Sequence, residues 1–191
     1  MTKTENFDRI EVASEADLWA WMTANHAQAA SVWLVTWKKL SPKYLSTGDV
    51  LDALIAHGWI DGIRRKHEDP ARTMQLIAPR KMQAWAKSYK DRAARLEGEG
   101  RMHPAGQAAI ETSKANGMWA FYDDVDALID PADLTAALDA EGDAPAWAAL
   151  PDAHRRNVLR WIKLAKTDAT RVKRIAEVAR TTRAGTRIPQ M

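Results

Sequence analysis

The run SVWLVTW at residues 31–37 limits the fold more than any other stretch of the chain. It is a dense succession of β-branched and aromatic side chains, and it reads as a buried strand. Lys38, Lys39 and the Ser41-Pro42 pair end it. A buried strand needs hydrogen-bonded neighbours, and the following sixty residues offer them. Val50, Leu51, Leu54 and Ile55 recur at helical spacing within 46–57, and Gly58 is poised as the left-handed residue after that helix. Trp59 and Ile60 begin a new extended segment, Asp61-Gly62 supplies a tight turn or bulge, and Ile63 to His67 continue the strand. Glu68-Asp69-Pro70 is a loop and Thr73 to Ala78, TMQLIA, a return strand. The hairpin is predicted to lie beside the 31–37 strand. Because successive strand side chains alternate, Arg64 and Lys66 should point one way, and Arg65 the other with Ile63.

Helical signals flank this sheet. Ser14-Glu15-Ala16-Asp17 has the form of a capping box before a short helix carrying Leu18, Trp21 and Met22 on one face. After Pro79 the chain reads as helical almost to its end. One helix is expected to include Met82, Trp85, Tyr89 and Arg92 to Leu96, closing at Gly98–Gly100. A second starts at Pro104 and ends before Gly117. WAFYDDVDALID is an irregular acidic connection. Further helices open at Pro131, Pro145 and Pro151, and Thr167 caps the last. The final two carry apolar residues at helical spacing, Val158, Trp161, Ile162 and Ala165 in one and Val172, Ile175, Ala176 and Ala179 in the other. That pattern argues for an antiparallel pair.

The expected fold is therefore α+β: a small antiparallel N-terminal sheet with flanking helices, followed by a helical C-terminal half. The expected organisation is an arm over 1–13, an α+β subdomain with its hairpin over 14–100, a helix and acidic connector over 101–130, a helical subdomain over 131–185 and a frayed tail over 186–191.

Charge is laid out in blocks. Residues 62–117 hold 12 basic and 6 acidic side chains; 118–150 hold 8 acids and no Lys or Arg; 151–191 hold 11 basic and 3 acidic. Adjacent blocks of opposite sign attract each other in a fold, so much of the basic surface should face the protein's own acids. The stripe Arg156, Arg160, Lys163, Lys166, Arg171 and Arg174 is the strongest basic feature. Left unpaired it would bind phosphates with salt-dependent affinity.

Nine tryptophans against two phenylalanines put large rigid rings in the core, and the absence of cysteine removes disulfides and thiolate chemistry. No segment has the apolar length of a membrane span, and the first residues lack the apolar core of a secretory signal. A cytoplasmic monomer or weak dimer is expected. The histidines at 26, 57, 67, 103 and 154 show no metal-binding spacing, and DDVD at 123–126 lacks the rest of a calcium loop. Nucleophile-elbow, dinucleotide and P-loop motifs are absent, so neither metal nor cofactor is expected and no catalytic residue is assigned. Trp59 reads as core packing before a stacking platform, and Asp61 as a turn former before a catalytic acid.

GWIDG (58–62), APR followed by Trp85, GRMHPAG (100–106) and the pattern WI..AK...TR..RI (161–175) occur in this order. Together they resemble the YdeI/OmpD-associated family over about residues 15–185. The matching positions are Gly58, Trp59, Asp61, Gly62, Pro79, Arg80, Trp85, Gly100, Met102, Pro104, Gly106, Trp161, Lys166, Thr170, Arg171 and Arg174. The resemblance implies a bacterial bacteriocin-protection or stress-tolerance factor, with links to resistance against cationic antimicrobial peptides, and it brings no catalytic set. The residues themselves suggest a recess where Trp59, Asp61, Arg64, Arg65 and Arg80 converge to hold an anionic small molecule or peptide carboxylate. Two alternatives stand beside this: a nucleic-acid binder using the basic C-terminal helices, and an enzyme of unknown reaction.

Overall fold

The computed structural model describes residues 7–186, so the tail expected over 186–191 falls outside them apart from Thr186. The chain divides into two compact units, 1–120 and 121–191.

The first unit contains strands β1 (Arg9–Glu11), β2 (Val32–Trp37), β3 (Trp59–Lys66) and β4 (Arg72–Pro79), and helices α1 (Glu15–Asn25), α2 (Thr47–Ala56), α3 (Lys87–Gly98) and α4 (Pro104–Ala115). The sheet order is β1-β2-β4-β3. The hairpin therefore packs beside β2 as expected, with β4 antiparallel to both β2 and β3. The region expected as an arm supplies β1, which pairs parallel with β2 through Arg9↔Trp33 and Glu11↔Val35. Its parallel sense follows from α1, which carries the chain back to the starting end of the sheet before β2 begins.

Strand β2 is buried on both faces, as its composition requires. Val32 and Leu34 pack with Leu18, Met22, Val50, Leu54 and Ile77 under α1 and α2. Trp33 and Val35 enter a second cluster with Met74 on the opposite face, flanked by Phe7 and Leu76. Helix α1 is capped by Ser14 Oγ, which accepts from the Asp17 amide, but the Asp17 carboxylate accepts from Ala13 rather than closing the box on Ser14. Ser46 and Asp49 make the complete reciprocal box at the start of α2.

Helix α3 begins at Lys87, so Met82 and Trp85 lie before it rather than inside it. The Trp85 amide donates to the Met118 carbonyl and its Nε1 to Ser113 Oγ at 2.8 Å, which commits its backbone and indole to the end of α4 and leaves none for a helical turn.

The second unit is helical: α5 (Asp123–Asp126), α6 (Ala132–Glu141), α7 (Ala144–Ala148), α8 (Asp152–Lys163) and α9 (Asp168–Ala184). The acidic connection thus contains one helical turn. Leu134, Leu138, Trp147, Val158, Leu159, Ile162, Ile175 and Val178 form its core. The apolar stripe of α9 is rotated from the expected one. Val172 and Ala176 are exposed, whereas Ile175, Val178 and Ala179 are buried. Arg171, paired with Asp133, fixes that end of the helix instead.

Candidate functional site

A cavity of the first unit opens at the end of β2. It has a volume of about 260 Å³, with Thr36, Trp37, Lys38, Lys39, Tyr44, Leu45, Thr47, Val50, Arg64, Thr73 and Gln75 in its wall. Three elements build it. Strand β2 ends in the two lysines, α2 presents its first residue Thr47, and β3 sends Arg64 across to donate to Thr47 Oγ1 at 3.2 Å. Lys38 donates to the Pro70 carbonyl at 2.6 Å, which ties the turn to the hairpin end. The wall contains three cations, four hydroxyl groups and no carboxylate. The partial positive charge of the first turn of α2 has the same sign.

A β-bulge sets which side chains reach this face. Asp61 pairs with Ile77 and Arg64 with Gln75, so β3 takes three steps where β4 takes two. Strict alternation would put Asp61 and Arg64 on opposite faces; the extra residue puts both on the face covered by α2. Gly62 sits inside the bulge, where an added Cβ would lie 3.2 Å from the Leu76 carbonyl oxygen. Arg65 pairs with Met74 and points to the other face, over the Trp33 ring at 5.4 Å. The expected alternation of Arg64 and Arg65 therefore holds.

Deeper along the same face lies a network that the sequence did not reveal. Asp61 accepts a short hydrogen bond from the Tyr89 hydroxyl and a second from Gln75 Nε2 at 3.1 Å. Burial, then the bond to Asp61, pushes the Tyr89 phenol well above its ordinary value. The Arg80 guanidinium lies over the Trp85 ring at 4.0 Å and donates to the Gln83 carbonyl at 3.0 Å. Burial pushes it down to about 10, and the Tyr89 and Asp61 charges work against that shift. Trp59 is buried, and its indole donates to the His26 carbonyl at 3.0 Å.

The five residues expected to converge are thus distributed. Arg64 lines the cleft. Asp61 joins it through Gln75 and is held from behind by Tyr89, and Arg80 stacks beyond them. Trp59 belongs to the core, and Arg65 to the opposite face. Lys39, Tyr44, Thr47, Gln75 and Tyr89 were not identified as site residues from the sequence. Gln75 carried a usable signal, being the one amide in the apolar strand TMQLIA.

The C-terminal basic stripe is largely turned onto the protein's own acids. Arg155 pairs with Asp130, Lys163 with Asp124 and Arg171 with Asp133, while Arg156 and Arg160 face Asp126. Arg174 lies over the Trp161 ring and donates to its carbonyl. Lys166 is exposed. Among the described residues, no group of three or more His, Asp or Glu is placed to hold a metal ion. No described helix is long and apolar enough to cross a membrane.

Fold and cleft define an α+β protein with a cationic recess in its sheet-bearing unit and a charge-matched helical second unit. Residues 10–109 match the family model described as Domain of unknown function (DUF8412), more than half of the chain, and the chain belongs to that family. Residues 127–185, the helices α6 to α9, match the model described as Bacteriocin-protection, YdeI or OmpD-Associated. The expected resemblance is thus found, carried by the second unit and its WI..AK...TR..RI pattern. GWIDG and GRMHPAG fall within the other match. No curated protein and no solved structure matches the chain significantly.

Proposed function

We propose that the protein is a bacteriocin-protection factor whose sheet-bearing unit binds a small anionic molecule, or the carboxylate end of a short peptide, in the cleft at the end of β2. The family match of the second unit supports a bacteriocin-protection role at the level of the family. The observation that carries the binding reading is the cleft wall, where Lys38, Lys39 and Arg64 meet hydroxyl groups with no carboxylate among them. A cavity of about 260 Å³ lies at the small end of ligand pockets, which run from about 300 to 1,000 Å³. It suits one compact anionic group, held by charge-assisted hydrogen bonds from Arg64 and the lysines. The nucleic-acid alternative draws little support, because the basic stripe already faces the acidic block.

The test is a thermal-shift and calorimetric screen with inorganic phosphate, small di- and tricarboxylates and short peptides, each beside a neutral analogue. A ligand at about a hundred times its Kd should stabilise the protein by about 2.7 kcal/mol. Losing a charged hydrogen bond costs about 1.5–3 kcal/mol, so Arg64→Ala should weaken binding roughly 10- to 150-fold. Anions that stabilise no better than their neutral analogues, or an Arg64→Ala variant that binds like the wild type, would overturn the reading.

A further inference from the structure

The turn that follows β2 carries an apolar residue the cleft does not use. Leu40 is fully exposed, and Tyr44, four residues on, is 41 % exposed. Lys38, Lys39 and Lys43 surround them, all exposed, with the Lys43 ammonium 5.3 Å from the centre of the Trp37 ring. The hairpin end lies against the same turn. The Lys38 amide donates to the Ala71 carbonyl, and the exposed Lys66, at the end of β3, pairs with Thr73.

The acids at this end are already committed. Glu68 is held by Arg9 at 2.9 Å, Glu11 by Arg72 at 2.5 Å, and Asp69 by Arg72 at 3.3 Å. Asp49, in the first turn of α2, accepts from the Ser46 amide. Among the described residues, Lys39, Lys43 and Lys66 have no carboxylate within ion-pair distance. The surplus is cationic, and an exposed leucine stands in its middle.

We propose that this end of the sheet-bearing unit docks on an anionic membrane surface, with Leu40 inserted among the lipid headgroups and Lys39, Lys43 and Lys66 over their phosphates. A lone exposed leucine on a monomer surface is ordinary. A leucine at a turn tip, flanked by lysines that have no carboxylate partner, has the two components of interfacial attachment: an apolar wedge, and cations that attract anionic lipid within a Debye length. Tyr44, with its ring and hydroxyl, suits the headgroup depth. The lysine stems add apolar contact while their ammonium groups stay in water. This proposal goes beyond the cleft reading and does not depend on it.

Co-sedimentation of the full chain with vesicles tests it. Phosphatidylcholine vesicles containing about a third phosphatidylglycerol should bind the protein at low salt, and vesicles of phosphatidylcholine alone should not. Leu40→Ala should reduce partitioning about fivefold or more, the loss expected for one apolar side chain withdrawn from the interface. Lys39→Ala combined with Lys43→Ala should reduce it by a similar or larger factor and flatten its salt dependence. Val172→Ala, which trims an exposed apolar residue in the second unit, should leave it unchanged. Arg64→Ala and added inorganic phosphate separate the two readings, because docking through the turn should survive both within about twofold, allowing for the one cation removed. Equal binding to both vesicle types, or a Leu40→Ala variant that partitions like the wild type, would overturn the proposal. So would binding abolished by Arg64→Ala or by free phosphate, since the cleft would then be taking the headgroup.

Discussion

At the scale of single residues, three histidines scattered along the sequence meet in the first unit. The His103 ring lies 4.5 Å from that of His26 and 4.9 Å from that of His57, and Trp19 meets His57 edge-on at 5.3 Å. The Ala53 carbonyl can only accept, so His57 Nδ1 carries the proton and its Nε2 accepts from the Thr23 hydroxyl. His103 Nδ1 accepts the Ala105 amide and so caps α4. Burial, then the neighbouring histidines, pushes His57 below its ordinary 6.5, and burial followed by His26 does the same to His103. The unfolded chain therefore binds more protons than the folded one once the pH falls below about 6.5, and stability is lost in that direction. Above about pH 7 these groups should contribute no slope. Each extra proton taken up on unfolding adds up to about 1.4 kcal/mol per pH unit. Urea unfolding followed by tryptophan fluorescence between pH 5 and 8 should show the decline. His103→Asn should make it shallower, because asparagine keeps a capping oxygen and removes a titrating ring. A flat wild-type profile would show that His57 and His103 take up no protons on unfolding. No local spacing announced this cluster; it exists because the ends of α1 and α2 and the start of α4 meet.

At the scale of elements, the meeting of α2 with α4 explains a motif that the sequence displayed without its reason. GRMHPAG ends in Gly106, and a Cβ there would sit 2.2 Å from the Ala56 carbonyl oxygen and 2.6 Å from the Met102 sulfur. The His103 amide donates to that same Ala56 carbonyl. Gly58, with φ of +74°, would bring a Cβ within 2.8 Å of the Ala105 carbonyl oxygen. Each helix terminus thus presents a glycine to the other's backbone. A carbonyl cannot swing aside as a side chain can, so Gly106→Ala should destabilise the first unit by about 3 kcal/mol or more, beyond the common range for point substitutions. The urea midpoint, compared with that of Gly98→Ala, measures this. Nothing lies within 4 Å of a Cβ added at Gly98. Substituting alanine at position 98 should cost nothing or stabilise slightly. Equal midpoints for the two variants would rule out the close contact. Strand β2, the hairpin and the Gly58 break were legible because each rests on local chemistry. The early start expected for α3 came from apolar spacing alone, which is blind to the bond between the Trp85 amide and Met118. The recess expected to gather Asp61 and Arg64 also took in Arg65 for a related reason: which of two successive side chains a bulge carries onto one face is fixed by pairing between strands.

At the scale of the whole molecule, the alternating charge blocks were the most informative global signal, and in the second unit they resolve into internal pairing. Asp124 and Asp133 are both held below the usual carboxylate value of 3.8. Lys163 opposes burial at Asp124, and the hydrogen bond from Arg171 leads at Asp133. Their contribution is present above about pH 4 and is lost as the pH falls through the lower folded values. Exposed pairs are individually weak, of order 0–1 kcal/mol, so their joint effect is better seen in what the surface can no longer do. Lysines and arginines that face carboxylates release few counterions when a polyanion approaches. Titrating the full chain with duplex DNA and single-stranded RNA at two salt concentrations should therefore give weak binding. The slope of log K against log salt should lie well below that of a protein neutralising six to ten phosphates, for which affinity falls about 10³- to 10⁵-fold between 50 and 200 mM salt. Asp124→Asn combined with Asp133→Asn should raise nucleic-acid affinity and steepen that slope by freeing Lys163 and Arg171. If the wild type already shows the steep slope, the acidic block is not shielding the basic helices, and the nucleic-acid reading of the stripe returns.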